Sequence, residues 1–249
     1  ANMYHYNIIL CNADKKKDKE IRVINTLLEK QVDGLLFMGG TVTDEHMQAF
    51  KTSTVPIVLC GTTDEQEQMP SVDIDHEKAA YDAVQHLIDN GHVNIGMICG
   101  TLQDPAYGYA RFQGYKKALE NAGIPFREEY VRVGNYRYES GFEMTKHFLG
   151  LPERPTAIFA ATDEMAIGVI HAIQDHGLKV PDDISVISVD NSRMASMVRP
   201  QLTSVAQPMY DIGAVSMRLL TKLMNKETVE MSKVTLPHEI IRRKSVAQA

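Results

Sequence analysis

The sequence predicts an α/β fold built as two lobes, each a doubly wound parallel sheet. Short apolar runs of four to six residues alternate along the chain with longer segments of helical period. The runs lack the alternation of polar and apolar residues that marks a sheet with one face in water, so the strands are expected to be buried on both faces. The rhythm restarts after residue 90, which indicates a second sheet.

The first series of elements begins near the N-terminus. The string YNIILC, residues 6–11, predicts a buried strand, and a charged helix is predicted over residues 15–30. Asp44 is expected to cap a short helix. The later elements of this series are strands in GLLFMGG, PIVLCG and SVDID and a helix over residues 76–90, which ends at Gly91.

The second series has the same alternation. Its predicted strands lie in NIGMICG, YVRV, TAIFAATD and ISVISVD, and its predicted helices cover residues 107–122, 138–149 and 164–176. A strand near LTSVAQ, a long helix over residues 209–225 and two last strands in KVTLP and EIIRR follow. The chain has no short-period repeat and no low-complexity segment.

Composition excludes several classes of protein. The 249 residues are 44% hydrophobic and 23% charged, which is typical of a folded globular chain rather than a disordered one. No apolar run approaches the roughly 20 residues that span a bilayer. The net charge of −6 means that DNA would be held only by a local basic element. The three cysteines, Cys11, Cys60 and Cys99, end apolar runs and are expected to be buried, reduced thiols of a cytoplasmic protein.

Polar side chains follow many of the predicted strands, where open α/β sheets bind their ligands. They are Asn12, Asp14, Thr101, Asp104, Thr162, Asp163, Asp190 and Asn191. Taken singly, each of these residues is also an ordinary turn or cap residue. As a set, they place a polar group after each main strand of the second lobe, which favours a cleft for a polar ligand.

Sequence signatures of catalysis are missing. The chain contains no GxSxG, GxxxxGK[ST], GxGxxG or HExxH string and no cysteine spacing typical of zinc sites. We therefore expect a binding protein without a metal or catalytic residue, and not an enzyme.

The helix over residues 209–225 offers a second candidate surface. Ile212, Leu219 and Leu223 share a face and predict the side that packs on the core. The adjoining face carries Asp211, Val215, Arg218 and Lys222. Two alternatives remain open for it: a basic face in solvent, or a docking surface for a phosphorylated or acidic partner.

The C-terminal half contains strings that resemble a known family. TDEMAIGVIHAIQDHGLKVPDDISVISVDNSRMASMVRPQLTSVAQP is similar to the effector-binding core of the lactose-repressor (LacI/GalR) family of bacterial transcription regulators. The strings YNIIL, KQVDGLLFMGG and YDIGAVSMRLLTKLMNKE resemble the members that control carbon catabolite repression. The resemblance implies a periplasmic-binding-protein-like core of two lobes joined by three crossovers. Residues 1–90 and about 208–234 would form the N-terminal lobe, and residues 91–207 and about 235–249 the C-terminal lobe.

The resemblance also implies binding residues. Small effectors are expected in the cleft between the lobes, on Arg111, Tyr136, Thr162, Asp163 and Asp190. For catabolite regulators the main expected partner is serine-phosphorylated HPr, with glucose 6-phosphate or fructose 1,6-bisphosphate as weaker effectors. The positions that match the HPr-docking surface are Tyr210, Asp211, Val215, Arg218 and Lys222. A homodimer is implied as well.

Full-length members begin with a helix-turn-helix headpiece, a hinge helix and a first core strand and helix. Against that pattern, this chain is expected to begin near the end of the first core helix, so operator binding would belong to a headpiece outside it. A sugar-binding receptor of a transport system would share the fold and is the alternative function. Three unpaired cysteines argue against such an exported protein.

Overall fold

A computed structural model describes residues 4–14, 16–64, 66, 68–229 and 232–249. The chain divides into two compact units, and it passes between them three times. Unit 1 comprises Ala1–Ile74 and Pro208–Leu236, and unit 2 comprises Asp75–Gln207 and Pro237–Ala249. Two units with three crossovers confirm the predicted architecture. No helix among the described residues is both long enough and apolar enough to cross a bilayer.

Unit 1 contains a four-stranded parallel sheet in the order β1-β2-β3-β9. Its strands are β1 (Leu35–Phe37), β2 (Ile57–Cys60), β3 (Ser71–Ile74) and β9 (Lys233–Leu236), and its helices are α1 (Lys17–Glu29), α2 (Asp44–Lys51) and α8 (Met209–Met224). A cluster of apolar side chains around Phe37, Phe50 and Leu59 packs α1 and α2 on one side of the sheet. Helix α8 packs on β1, β2 and β3.

Unit 2 contains a six-stranded sheet in the order β10-β8-β7-β6-β4-β5. Its strands are β4 (Ile95–Cys99), β5 (Val131–Val133), β6 (Ala157–Ala160), β7 (Ser185–Asp190), β8 (Thr203–Ala206) and β10 (Glu239–Ile241). Its helices are α3 (His76–Asp89), α4 (Ala110–Asn121), α5 (Tyr138–Leu149), α6 (Asp163–Asp175) and α7 (Arg193–Met197). All neighbouring strands are parallel except β10, which runs antiparallel to β8.

In the sheet of unit 2, the direction in which successive strands are added reverses at β4. The connection from β4 to β5 goes to one side, and the next connection returns to β6 on the other side. Such a reversal opens a crevice at the carboxyl ends of the strands, which is where doubly wound sheets bind ligands. The core beneath it is apolar, with Phe148, Ile158 and Ile173 fully buried.

The N-terminal segment differs from its sequence prediction. Residues 6–11 were predicted as a buried strand, yet they form no strand and Leu10 is 90% exposed. A strand needs a neighbour for its backbone N–H and C=O groups, and the sheet of unit 1 provides none to this segment. Cys11 is consequently exposed rather than buried, while Cys60 and Cys99 are buried as predicted.

The boundary between the lobes also differs. Helix α3 was predicted to close the first lobe at residue 90, but it packs on α4 and on β6, β7 and β8 and belongs to unit 2. The break falls after Ile74 because α3 buries its apolar face against α4, which follows it along the chain. The return segments, 208–236 and 237–249, lie within two residues of the predicted ones.

Helix starts show smaller shifts. Thr43 rather than Asp44 is the N-cap of α2, and Asp44 is its first residue. Helix α1 begins at Lys17, and Lys15, where the predicted helix began, lies outside the described residues. The helix predicted from residue 107 begins with a π-helical turn, Pro105–Tyr109, before α4.

Candidate functional site

The five predicted effector residues all lie in unit 2, after the carboxyl ends of its strands. Arg111 is the second residue of α4, Tyr136 follows β5, Thr162 and Asp163 follow β6, and Asp190 ends β7. The structure therefore places on one edge of one sheet residues that are separated by up to 79 positions in the chain. The five residues that match the HPr-docking surface belong to unit 1, on α8.

Arg111 is a buried cation, with 3% of its side chain exposed. Its Nη1 donates to the carbonyl oxygen of Ala161 at the end of β6, which ties α4 to that strand tip. Its Nη2 lies 3.3 Å from Nδ1 of His76 and 4.0 Å from Oδ1 of Asp190. A guanidinium only donates, so His76 accepts at Nδ1 and carries its proton on Nε2.

His76 was not predicted from the sequence. It is the first residue of α3, is 5% exposed, and packs edge-on against the ring of Tyr107 at 4.7 Å between centroids. The guanidinium of Arg111 lies 5.7 Å from the same Tyr107 ring. His76 precedes Arg111 by 35 residues in an ordinary helix-start sequence, so no local pattern marks the contact.

Tyr136 is fixed by Asp104, a carboxylate that is 6% exposed. The hydroxyl of Tyr136 donates to Oδ2 of Asp104 over 3.2 Å, and the backbone N–H of Tyr107 donates to Oδ1 over 3.2 Å. The Tyr136 ring lies directly against Gly100, where a Cβ atom would collide with it. Burial, and then the neighbouring Asp104 carboxylate, raise the pKa of the Tyr136 hydroxyl, which keeps it protonated as a donor.

Asp163 is the most buried of the predicted site residues, with 1% exposed. Its Oδ1 accepts from the hydroxyls of Ser188 and Ser204 at 2.6 and 2.7 Å, and its Oδ2 accepts from the backbone N–H of Ser192 at 2.6 Å. The carboxylate is therefore engaged by β7, by β8 and by the loop between them.

Thr162 is the N-cap of α6. Its hydroxyl oxygen accepts from the backbone N–H of Met165 over 3.2 Å, which satisfies one of the free N–H groups of the first turn. The hydroxyl proton is not used by this cap, so the half-buried side chain can still donate to a ligand.

Asp190 is the accessible carboxylate of the cluster, with 36% of its side-chain surface exposed. Its Oδ1 accepts from Nε2 of Gln207 over 2.8 Å. Although part of the side chain is exposed, desolvation by the protein atoms around the carboxyl group raises its pKa to about 6. The nearby Asp163 carboxylate adds to this, while Arg111 and Gln207 act in the opposite direction. The residue has a φ of 123° and is followed by Asn191 with a φ of 53°.

Two buried polar atoms at this site have no hydrogen-bond partner among the described residues. They are Nε of Arg111 and Oγ of Ser192. Buried donors are nearly always satisfied in folded proteins, so these two unpaired donors make the strand tips of unit 2 a candidate place for a polar ligand. The arrangement offers donors from Arg111, Thr162 and Ser192 and an acceptor from Asp190, which suits a ligand rich in hydroxyl groups.

Two cavities open elsewhere on unit 2. One of about 440 Å³ is bordered by Tyr115, Arg127 and Glu153, and one of about 350 Å³ by His86, Thr203 and Arg242. None of the five predicted effector residues borders either cavity.

Helix α8 presents the second predicted set to solvent. Tyr210 is 86% exposed, Asp211, Arg218 and Lys222 are exposed, and Val215 is half-buried. Ile212 and Leu219 are buried as predicted, whereas Leu223 is half-buried and Leu220 takes its place in the core. Arg218 and Lys222 form no ion pair within 4 Å among the described residues, so the basic face is available to a partner.

Comparison with known proteins fits this geometry. A family model described as a periplasmic binding protein-like domain matches residues 84–246. Catabolite control protein A of Priestia megaterium is 56% identical over 245 residues, which cover 98% of this chain and 74% of that protein. The chain belongs to the LacI/GalR family of transcription regulators.

Solved structures agree with this membership. The transcription regulator CcpA of Lactococcus lactis is 44% identical with a TM-score of 0.92, and the match covers 98% of this chain and 89% of that one. A complex of the transcriptional regulator CelR with cellobiose is 33% identical with a TM-score of 0.85, covering 92% and 71%. This chain is the effector-binding core of a LacI-family regulator of carbon catabolite control.

Proposed function

We propose that this core binds a phosphorylated sugar on the strand-tip residues of unit 2 and serine-phosphorylated HPr on α8, without catalysing a reaction. The observation that carries the first part is the buried Arg111 guanidinium, whose Nε has no partner among the described residues and whose Nη2 lies 4.0 Å from Oδ1 of the accessible Asp190. A guanidinium forms charge-assisted bonds with phosphate or hydroxyl oxygens, and a carboxylate accepts from sugar hydroxyls. Tyr136 would cover an apolar face of the sugar ring.

Glucose 6-phosphate and fructose 1,6-bisphosphate are the proposed effectors. A carboxylate close to a phosphate opposes binding, so the affinity is expected to be modest. The related CelR is solved with cellobiose, which supports a sugar as the ligand class.

Isothermal titration calorimetry with glucose 6-phosphate tests this part of the proposal. The intact regulator should bind it in a manner that depends on Arg111. Binding that Arg111→Ala leaves unchanged would show that the effector lies elsewhere.

The exposed face of α8 supports HPr as the protein partner. It combines two cations that form no ion pair with any described residue, Arg218 and Lys222, with apolar Val215 and the aromatic ring of Tyr210. A phosphoserine carries about −1.5 to −2 charges near neutral pH, and a neighbouring pair of cations suits it. A pull-down with HPr in both phosphorylation states tests this, because only the phosphorylated form should be retained.

We further propose that the parent protein acts as a homodimer that binds operator DNA through a headpiece outside this chain. The lac repressor, 28% identical to this chain with a TM-score of 0.84, is solved as a dimer bound to operator, which supports this assembly. A regulator of transcription works beside the chromosome, so we place the protein in the cytoplasm, where the buried thiols of Cys60 and Cys99 stay reduced. Sedimentation that gives only monomer at micromolar concentration would contradict the dimer.

A further inference from the structure

The carboxylate of Asp163 is buried and hydrogen-bonded by the protein itself. It accepts three hydrogen bonds of 2.6 to 2.7 Å, from Ser188, Ser192 and Ser204, and only 1% of the residue is exposed. A carboxylate has about four acceptor positions, so one remains on Oδ2, but the buried group presents almost no surface through which a sugar hydroxyl could reach it. Asp163 is therefore poorly placed to be a ligand of the effector.

The same bonds reach the loop that carries Asp190. The Ser204 hydroxyl donates a hydrogen bond to Asp163 and accepts one from the backbone N–H of Asn191 over 3.0 Å. The next residue, Ser192, donates its own N–H to Asp163. On the other side, Nη2 of Arg243 donates to the side-chain oxygen of Asn191 over 2.6 Å.

This loop has a backbone that needs support. Asp190 and Asn191 both have positive φ, at 123° and 53°, a region that side chains of L residues disfavour. Two such residues in succession persist only where surrounding contacts fix them. Ser204 accepts from the backbone N–H of Asn191, and Asp163 accepts from that of Ser192, so these bonds hold the two residues that follow Asp190.

We propose that Asp163 is a positioning residue, which holds the Asp190–Ser192 loop so that Asp190 is the single carboxylate presented to the effector. The inference rests on the effector site proposed above and changes its composition, since one carboxylate rather than two faces the ligand.

The loop can be tested without any ligand, by hydrogen–deuterium exchange of the intact regulator. Asp163→Asn replaces one acceptor oxygen with an NH₂ group, which cannot accept from the donors around it. Amide exchange in residues 190–196 should become at least tenfold faster, while exchange in β4 stays unchanged. Asp182→Asn is the matched control, since Asp182 is exposed in the same unit and its variant should exchange like the parent.

A second variant separates positioning from direct contact. Ser188→Ala combined with Ser204→Ala removes two donors and leaves the Asp163 carboxylate in place. If Asp163 positions the loop, this variant also exchanges faster in residues 190–196 and binds glucose 6-phosphate at least tenfold more weakly in calorimetry. The double serine variant can still be measured if Asp163→Asn does not fold.

Two results would overturn the inference. One is parental exchange in residues 190–196 for both variants. The other is parental affinity in the double serine variant together with lost affinity in Asp163→Asn, which would make Asp163 a direct ligand. If the parent itself fails to bind glucose 6-phosphate, the proposed effector is wrong, and the exchange experiment still decides the role of Asp163.

Discussion

Arg111 and Asp190 face each other at the strand tips of unit 2, with 4.0 Å between Nη2 and Oδ1. The side chain of Arg111 is 3% exposed and that of Asp190 is 36% exposed. A ligand can therefore reach the Asp190 carboxylate more easily than the buried guanidinium behind it. In the proposed complex with a phosphorylated sugar, Arg111 would offset part of the charge of Asp190.

Loss of the Arg111 guanidinium should weaken effector binding. A charge-assisted hydrogen bond contributes roughly 1.5–3 kcal/mol, so Arg111→Ala should bind glucose 6-phosphate about ten- to a hundredfold more weakly in calorimetry. Lys117→Ala is the control, because Lys117 forms an exposed ion pair with Glu77 and its loss should leave the affinity as in the parent.

The stability of the unliganded protein should depend on the charge of Asp190. Folding raises the pKa of Asp190 from an ordinary value near 3.8 to about 6, so the folded state binds more protons in this range. The contribution of Asp190 to stability is then lost as the pH rises from about 4 to about 6. Asp190→Asn, which has no such charge, should melt at a higher temperature than the parent at pH 7 and close to it at pH 4.

Thermal melts at both pH values measure this difference, with Asp182→Asn as the control for the chemical change at an exposed site. A gap between parent and Asp190→Asn that widens toward pH 4 would contradict the direction of the shift.

The ring and the hydroxyl of Tyr136 should have separable roles. Tyr136→Phe removes the donor to Asp104 and should cost about 0.5–1.5 kcal/mol of stability, while it keeps the aromatic face for the sugar. Tyr136→Ala also removes that face, so its affinity for glucose 6-phosphate should be at least tenfold lower than that of Tyr136→Phe. Chemical denaturation and calorimetry measure the two effects, and equal affinities for Phe and Ala would show that the ring does not contact the ligand.

Gly114 sets how closely α4 approaches α3. A Cβ atom there would overlap the carbonyl oxygen of Glu77 and lie 2.8 Å from the backbone nitrogen of Tyr81. Gly114→Ala should therefore destabilise the protein by about 1–3 kcal/mol, since the backbones must move apart. Gly213→Ala in α8 is the control: a Cβ atom there meets nothing within 4 Å, so it should be neutral or stabilising in the same denaturation experiment.

Arg218 should discriminate the two forms of HPr. If it pairs with the phosphoserine, Arg218→Ala should weaken the binding of phosphorylated HPr by about ten- to a hundredfold in surface plasmon resonance. The residual binding of unphosphorylated HPr should change far less, because the lost contact is to the phosphate. Equal losses for both forms would show that α8 does not recognise the phosphate.

Several features of this protein followed from the residues alone. The alternation of buried strands with helices of one apolar face predicted the α/β class, and most of the strands and helices lie where the pattern placed them. The strings around Asp163 and Asp190 indicated the family, and the strand-tip rule predicted a candidate site at the carboxyl edge of the second sheet, where the structure brings the predicted residues together. These properties are local, because periodicity and turn chemistry act within a few residues.

Tertiary structure decided the rest, because it depends on which segments meet. Residues 6–11 have the composition of a strand but lack a neighbour in the sheet of unit 1, so their backbone pairs with none of its strands and Leu10 is exposed. Helix α3 belongs to unit 2 because its partner is α4. At the site, the sequence predicted Asp163 and Asp190 alike as effector-binding residues. In the structure, Asp163 is buried and accepts hydrogen bonds from three distant residues, whereas Asp190 remains accessible. Hydrogen bonds that join β6, β7 and β8 can be known only when those strands lie side by side.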